Sequence, residues 1–137
     1  MVSSHPDGHT IATDMPVELG GAGDAVSPGW LWRSGLAACT TTCIAMLAAR
    51  RGLALDTLEV EVTSRSDVRG ALGMTEPDGA TIYGGPRNLE MRVRIAARGV
   101  QPHVLRTLVA DGQRVSPMSS GLVACVQMGL RVEIETD

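Results

Sequence analysis

The sequence is poor in aromatic residues, since its 137 residues include two Trp, one Tyr and no Phe. A hydrophobic core must therefore consist of Leu, Val, Ile, Ala and Met, and seven Met residues make parts of such a core adaptable in shape. A chain of this length buries roughly two-thirds of its unfolded surface when it folds as one unit. We therefore predict a single domain over residues 1–137.

Runs of basic residues and long apolar segments are also absent. The formal net charge is −3, which argues against nucleic acid and anionic membranes as partners. The polar N-terminus does not resemble a signal peptide. The longest apolar stretch, residues 35–49, is shorter than the roughly 18–20 residues of a membrane span. We expect a cytoplasmic protein with this stretch as a buried helix.

The chain has three cysteines, Cys39, Cys43 and Cys125, and none of the spacings typical of zinc sites. An odd number argues against a disulfide scaffold and favours a reducing compartment. The three His residues are scattered. The sequence therefore predicts no bound metal and no other cofactor.

A long helix is predicted from capping signals at both ends of the apolar stretch. Ser27 suits the N-cap, and Pro28 suits the first helical position. Arg50 and Arg51 suit the negative C-terminal end, and Gly52 suits the stop.

Apolar residues alternate with polar or charged ones in three segments, at 58–63, 89–95 and 130–135. Such alternation predicts strands with one buried face. Their outward-facing charges are Glu and Arg, which favours cross-strand pairing on a solvated face. Residues 9–15 predict a further short strand.

Two further helices follow the second of these strands. One is predicted over residues 101–111, beginning at Pro102 and ending at Gly112, and a short one begins at Ser116 and Pro117. The fold class is therefore α+β, an antiparallel sheet with helices on one face. The long helix is apolar nearly all round, so one subunit leaves part of it uncovered. We predict an obligate, intertwined homodimer with this helix buried at its centre.

Three segments resemble motifs of one family of thiol-dependent enzymes. Residues 14–28 look like the glycine-rich entry loop of the OsmC/Ohr family. The run from Leu36 to Cys39 and the apolar helix after it resemble that family's central helix. Residues 115–122 resemble its second motif, in which a Cys-Pro pair begins a short helix.

The resemblance implies an intimate α/β dimer with two active sites at the subunit interface. It also implies the reduction of organic hydroperoxides by a peroxidatic thiolate and a resolving Cys, with a lipoyl dithiol as reductant in Ohr-type members. The peroxidatic Cys matches Cys39, whereas the resolving Cys matches Ser116, which cannot form a disulfide. The usual acidic residue matches Gly29, and no activating Arg is assigned.

Cys43 has two possible roles. It lies four residues after Cys39, so the two Cβ atoms are about 5–6 Å apart in a helix, whereas a relaxed disulfide needs about 3.5–4.5 Å. Cys43 is therefore either core packing or a substitute resolving thiol. Cys125 is most simply a buried small residue.

Trp30 and Trp32 also have two interpretations. They either line an apolar pocket beside Cys39 or pack in the core or dimer interface, and residues two apart do not share a helical face. The sequence thus leaves two main functions open. One is a hydroperoxide reductase that uses Cys39, impaired or altered by Ser116 and Gly29. The other is a non-catalytic dimer that binds a small apolar or acyl ligand, and a purely structural dimer is a third.

Overall fold

A three-stranded sheet with helices packed against it forms the body of the computed structural model, which describes residues 1–123 and 128–135. The strand order is β3 (Thr57–Arg65), β4 (Arg87–Ala96) and β5 (Met128–Ile134). The helices are α1 (Pro28–Arg50), α2 (Val68–Ala71), α3 (Pro102–Val115) and α4 (Pro117–Val123). Strands β1 (Val2–Ser4) and β2 (Thr10–Ala12) form a separate antiparallel pair, followed by a 3-10 turn at Val17–Leu19. The α+β class is confirmed.

The sheet is mixed, so the prediction of an antiparallel sheet is wrong at its last strand. Strand β4 pairs with β3 in antiparallel register but with β5 in parallel register, with Val93 opposite Val132. After β4 the chain passes through α3 and α4, and β5 then starts at the end of the sheet where β4 starts. Helical crossovers of this kind join parallel neighbours, whereas antiparallel strands can be joined by a tight turn.

The core lies between the sheet and the helices α1 and α3. The inward side chains of β4 are almost fully buried and pack against residues of both helices: Leu89, Met91, Val93 and Ile95 from β4, Leu36 and Ile44 from α1, and Leu105, Leu108 and Val109 from α3. On the outer face Arg94 pairs with Glu59 at 2.6 Å and also with Glu135. The predicted cross-strand ion pairs are therefore present.

Helix α1 has the bounds that its capping signals predict. The Ser27 hydroxyl accepts a hydrogen bond from the Trp30 N–H at 3.2 Å, and Gly52 has a left-handed φ of 67°. One face of α1 packs on the core, while an outer face remains exposed within one chain and includes Ala38, Ala45 and Met46. No helix in residues 1–123 is both long and apolar enough to cross a membrane.

Helix α3 continues to Val115, so the prediction that it ends at Gly112 is wrong. Gly112 is buried inside the helix, where α3 crosses α1. A Cβ atom at this position would lie 2.3 Å from Ile44 Cγ1 and 3.0 Å from Ile44 Cα. The glycine is therefore required for the close approach of the two helices, and a sequence cannot distinguish this role from that of a helix stop.

We predict that Gly112→Ala lowers the free energy of unfolding by about 1–3 kcal/mol, because the added methyl group overpacks the contact with Ile44. Urea unfolding monitored by circular dichroism measures the change. Gly121→Ala is the matched control, since a Cβ at this position in α4 meets no atom within 4 Å. Equal stability of Gly112→Ala and the wild type would contradict the proposed close approach.

Candidate active site

Cys39 lies on the side of α1 that faces the start of α4. Its half-buried sulfur accepts a hydrogen bond from the Ser116 hydroxyl, with Sγ and Oγ 3.2 Å apart. Ser116 lies between α3 and α4 and is fully buried. The fold thus brings together two residues that are 77 positions apart in sequence.

Two further hydroxyl groups surround Ser116. Thr40 Oγ1 lies 2.8 Å from Ser119 Oγ and donates to Ser116 Oγ at 3.4 Å. The Ser119 N–H also donates to Ser116 Oγ at 3.4 Å, so Ser116 caps the first turn of α4. Thr40, Ser116 and Ser119 are each 0% exposed. Neither Thr40 nor Ser119 was predicted as a site residue, although Ser119 has the spacing of a capping contact.

Hydrogen-bond donors lower the pKa of Cys39. The Ser116 hydroxyl has the largest effect, followed by the backbone N–H of Met118, and both outweigh the opposing effect of burial. A contact with Cys43 adds a smaller effect in the same direction. Within residues 1–123 and 128–135, no cationic side chain contributes to the shift. Neutral donors rather than a positive charge therefore favour the thiolate here.

The pKa of Cys43 moves in the opposite direction. Burial raises it first, and the charge of the neighbouring Cys39 thiolate raises it further. At a given pH, Cys39 is therefore more often ionised than Cys43. Since the thiolate is the nucleophile, Cys39 is the more reactive thiol of the pair.

The two Trp residues lie in different environments. Trp30 is 49% exposed and lines a cleft of about 400 Å³ between α1 and β3, whereas Trp32 packs against the core. Arg33 and Glu61 also line this cleft, but Cys39 does not.

The remaining predicted positions contribute less to the site. Gly29 is exposed in the first turn of α1 and provides no carboxylate. The Arg33 guanidinium donates to the Ser64 hydroxyl at 3.4 Å, so it contacts β3. Cys125 lies outside the described residues.

Comparison with known proteins identifies the family. The profile described as OsmC-like protein matches residues 21–131, most of the chain. The chain belongs to the OsmC-like family. A search of curated proteins found no match.

Solved OsmC-like structures share the fold of this chain. An organic hydroperoxide resistance protein OsmC from Legionella pneumophila is 22% identical with a TM-score of 0.67, over 97% of this chain and 95% of that one. An OsmC-like protein from Mycoplasma pneumoniae is 16% identical with a TM-score of 0.76, over 99% and 95%. An organic hydroperoxide resistance protein from Elizabethkingia anophelis is 17% identical with a TM-score of 0.74, over 98% and 94%.

The site of this OsmC-like chain has a defined chemical capacity. Cys39 is an ionisable nucleophile with two donors directed at its sulfur. The hydroxyl nearest to it, that of Ser116, stabilises a thiolate but lacks the sulfur needed for a disulfide. Ser116 can therefore donate a hydrogen bond to Cys39 but cannot form a disulfide with it.

Proposed function

We propose that this OsmC-like protein reduces organic hydroperoxides with Cys39 as the reacting thiol. The hydrogen bond of 3.2 Å from Ser116 to the Cys39 sulfur is the observation that carries the proposal, because it favours the nucleophilic thiolate. The substrate class is suggested by the relatives from Legionella pneumophila and Elizabethkingia anophelis, which are named organic hydroperoxide resistance proteins.

The first step is a two-electron oxidation of the cysteine. The Cys39 thiolate attacks the distal oxygen of the hydroperoxide, the O–O bond breaks, and a sulfenic acid forms on the sulfur. The other oxygen leaves as an alkoxide, takes up a proton and becomes the alcohol. The hydroperoxide is thereby reduced while Cys39 is oxidised.

The second step needs a thiol that condenses with the sulfenic acid to give a disulfide and water. Ser116 cannot serve, and Cys43 lies on the same helix at a spacing that strains a disulfide. We infer that an external dithiol supplies both sulfurs: one forms a mixed disulfide with Cys39, and the other displaces Cys39 as a free thiol. The alternative is that Cys43 acts as the internal resolving thiol, and turnover by the Cys43→Ser variant distinguishes the two.

We predict that one equivalent of cumene hydroperoxide converts Cys39 to a sulfenic acid, which dimedone traps and mass spectrometry locates. Cys39→Ser abolishes both the adduct and the loss of hydroperoxide, whereas Cys43→Ser keeps both. With excess hydroperoxide and dihydrolipoamide, Cys43→Ser also keeps turnover if the external dithiol acts alone. A Cys39 that remains a free thiol for minutes would end the proposal.

The same proposal includes a homodimer formed through α1. Within one chain, small apolar side chains are exposed on the outer face of this helix, and Met46 on the same face is 61% exposed. A second copy of the chain would cover this face and, with it, the approach to the half-buried Cys39. Water exclusion there would protect the sulfenic acid from side reactions.

We predict that Met46→Glu shifts a dimeric wild type to monomer, because it places an unpaired charge in an apolar interface. Sedimentation velocity at micromolar concentration measures the change. Ala54→Glu adds the same charge at an exposed position between α1 and β3 and is expected to remain dimeric. The dimer proposal fails if the wild type is already monomeric under these conditions.

A second candidate function is a ligand-binding dimer without peroxide chemistry. It is favoured by the cleft of about 400 Å³ beside Trp30, a volume typical of small-molecule sites. Arg33 and Glu61 in its lining favour a polar ligand over an acyl chain. Native mass spectrometry that shows a retained ligand, together with an unreactive Cys39, would support this candidate over the reductase.

A further inference from the structure

The hydroxyl groups around Cys39 form a chain of hydrogen bonds whose direction follows from counting protons. Ser116 Oγ accepts from the Ser119 N–H at 3.4 Å, and a backbone N–H can only donate. The single hydroxyl proton of Ser116 is directed at the Cys39 sulfur, 3.2 Å away. Ser116 must therefore be the acceptor in its contact with Thr40.

The contact between Thr40 and Ser119 completes the chain. Its 2.8 Å geometry allows either hydroxyl to donate. Because Thr40 gives its single proton to Ser116 across 3.4 Å, we assign Thr40 the acceptor role in this contact. The Ser119 hydroxyl is then the donor in that contact. The resulting order is Ser119 to Thr40 to Ser116 to Cys39, with every proton directed toward the sulfur.

Burial makes this direction persistent. The three hydroxyl-bearing residues are 0% exposed, and no buried side-chain polar atom among the described residues lacks a partner. In such surroundings water does not compete for the protons, and each hydrogen bond strengthens the next. Thr40 is carried by α1 next to Cys39, while Ser116 and Ser119 flank the first turn of α4. The chain of hydroxyls therefore spans the contact between the two helices.

We propose that Ser116 activates Cys39 by donating its hydroxyl proton to the thiolate, and that Thr40 and Ser119 are positioning residues that hold this proton toward the sulfur. This inference rests on the proposed function, because it takes Cys39 as the reacting thiol. It gives residue 116 a role in the attack on the hydroperoxide instead of in the resolution of the sulfenic acid.

The test measures the ionisation of Cys39 without any hydroperoxide. Iodoacetamide alkylation of the reduced protein is followed as a function of pH, and peptide fragmentation separates Cys39 from Cys43. Ser116→Ala is expected to raise the pH midpoint of Cys39 alkylation by roughly one unit. Below the midpoint, this corresponds to about a tenfold loss of thiolate. Thr40→Val is expected to raise the midpoint less. Ser120→Ala is the control, since this exposed hydroxyl bonds to the Pro117 carbonyl and leaves the midpoint unchanged.

A double-mutant cycle separates positioning from a general structural effect. Because Thr40 acts through Ser116, Thr40→Val should have no further effect on the midpoint in the Ser116→Ala background. An unchanged midpoint in Ser116→Ala would overturn the inference, and so would an equal effect of Thr40→Val in both backgrounds. A shifted midpoint with no oxidation of Cys39 by hydroperoxide would instead reject the proposed function alone.

Ser116→Cys provides a second variant if the alanine variant does not fold. A thiol is a weaker donor than a hydroxyl, so the midpoint of Cys39 should still rise. After one equivalent of cumene hydroperoxide, the introduced thiol should form a disulfide with Cys39, since the replaced oxygen lies 3.2 Å from the sulfur. A wild-type midpoint in Ser116→Cys would overturn the inference.

Discussion

The hydrogen bond from the Ser116 hydroxyl to the Cys39 sulfur is the interaction on which the proposed function of this protein depends. It forms because α1 is capped at Ser27 and remains helical past Cys39, and because Gly112 lets α3 approach α1 closely. The chain then turns at Ser116, so that α4 begins beside the sulfur. The surroundings of the Cys39 thiol thus depend on the cap of α1 and on the packing of α3 and α4 against it.

A thiolate stabilised by neutral donors has different properties from one paired with a cation. Hydroxyl and amide donors at short range keep the local charge negative after ionisation, and their effect depends on geometry and burial more than on ionic strength. Burial and that negative charge both raise the pKa of Cys43, so Cys39 ionises more readily than Cys43. The Ser116 hydroxyl therefore favours ionisation at Cys39, and in the proposed reaction another sulfur has to resolve the sulfenic acid.

The sequence predicted the features that depend on local signals. The bounds of α1 follow from Ser27, Pro28 and Gly52, and the strands follow from alternation. Alternation does not give the direction of β5, because the side-chain period is two in either direction, but the two helices predicted before β5 are the signal that favours a parallel pair. The family resemblance singled out Cys39 and Ser116 as candidate site residues. The contacts of Thr40 with Ser116 and Ser119 join residues 76 and 79 positions apart, so no local pattern indicates them.

The most direct test of this account is a titration of Cys39 in the folded and the urea-unfolded states of the reduced protein. The ¹³C chemical shift of the labelled Cys39 β-carbon reports the thiol and thiolate forms separately. The account predicts a lower midpoint in the folded protein, because the donors at the α1–α4 contact exist only there. A folded midpoint equal to or above the unfolded one would contradict it.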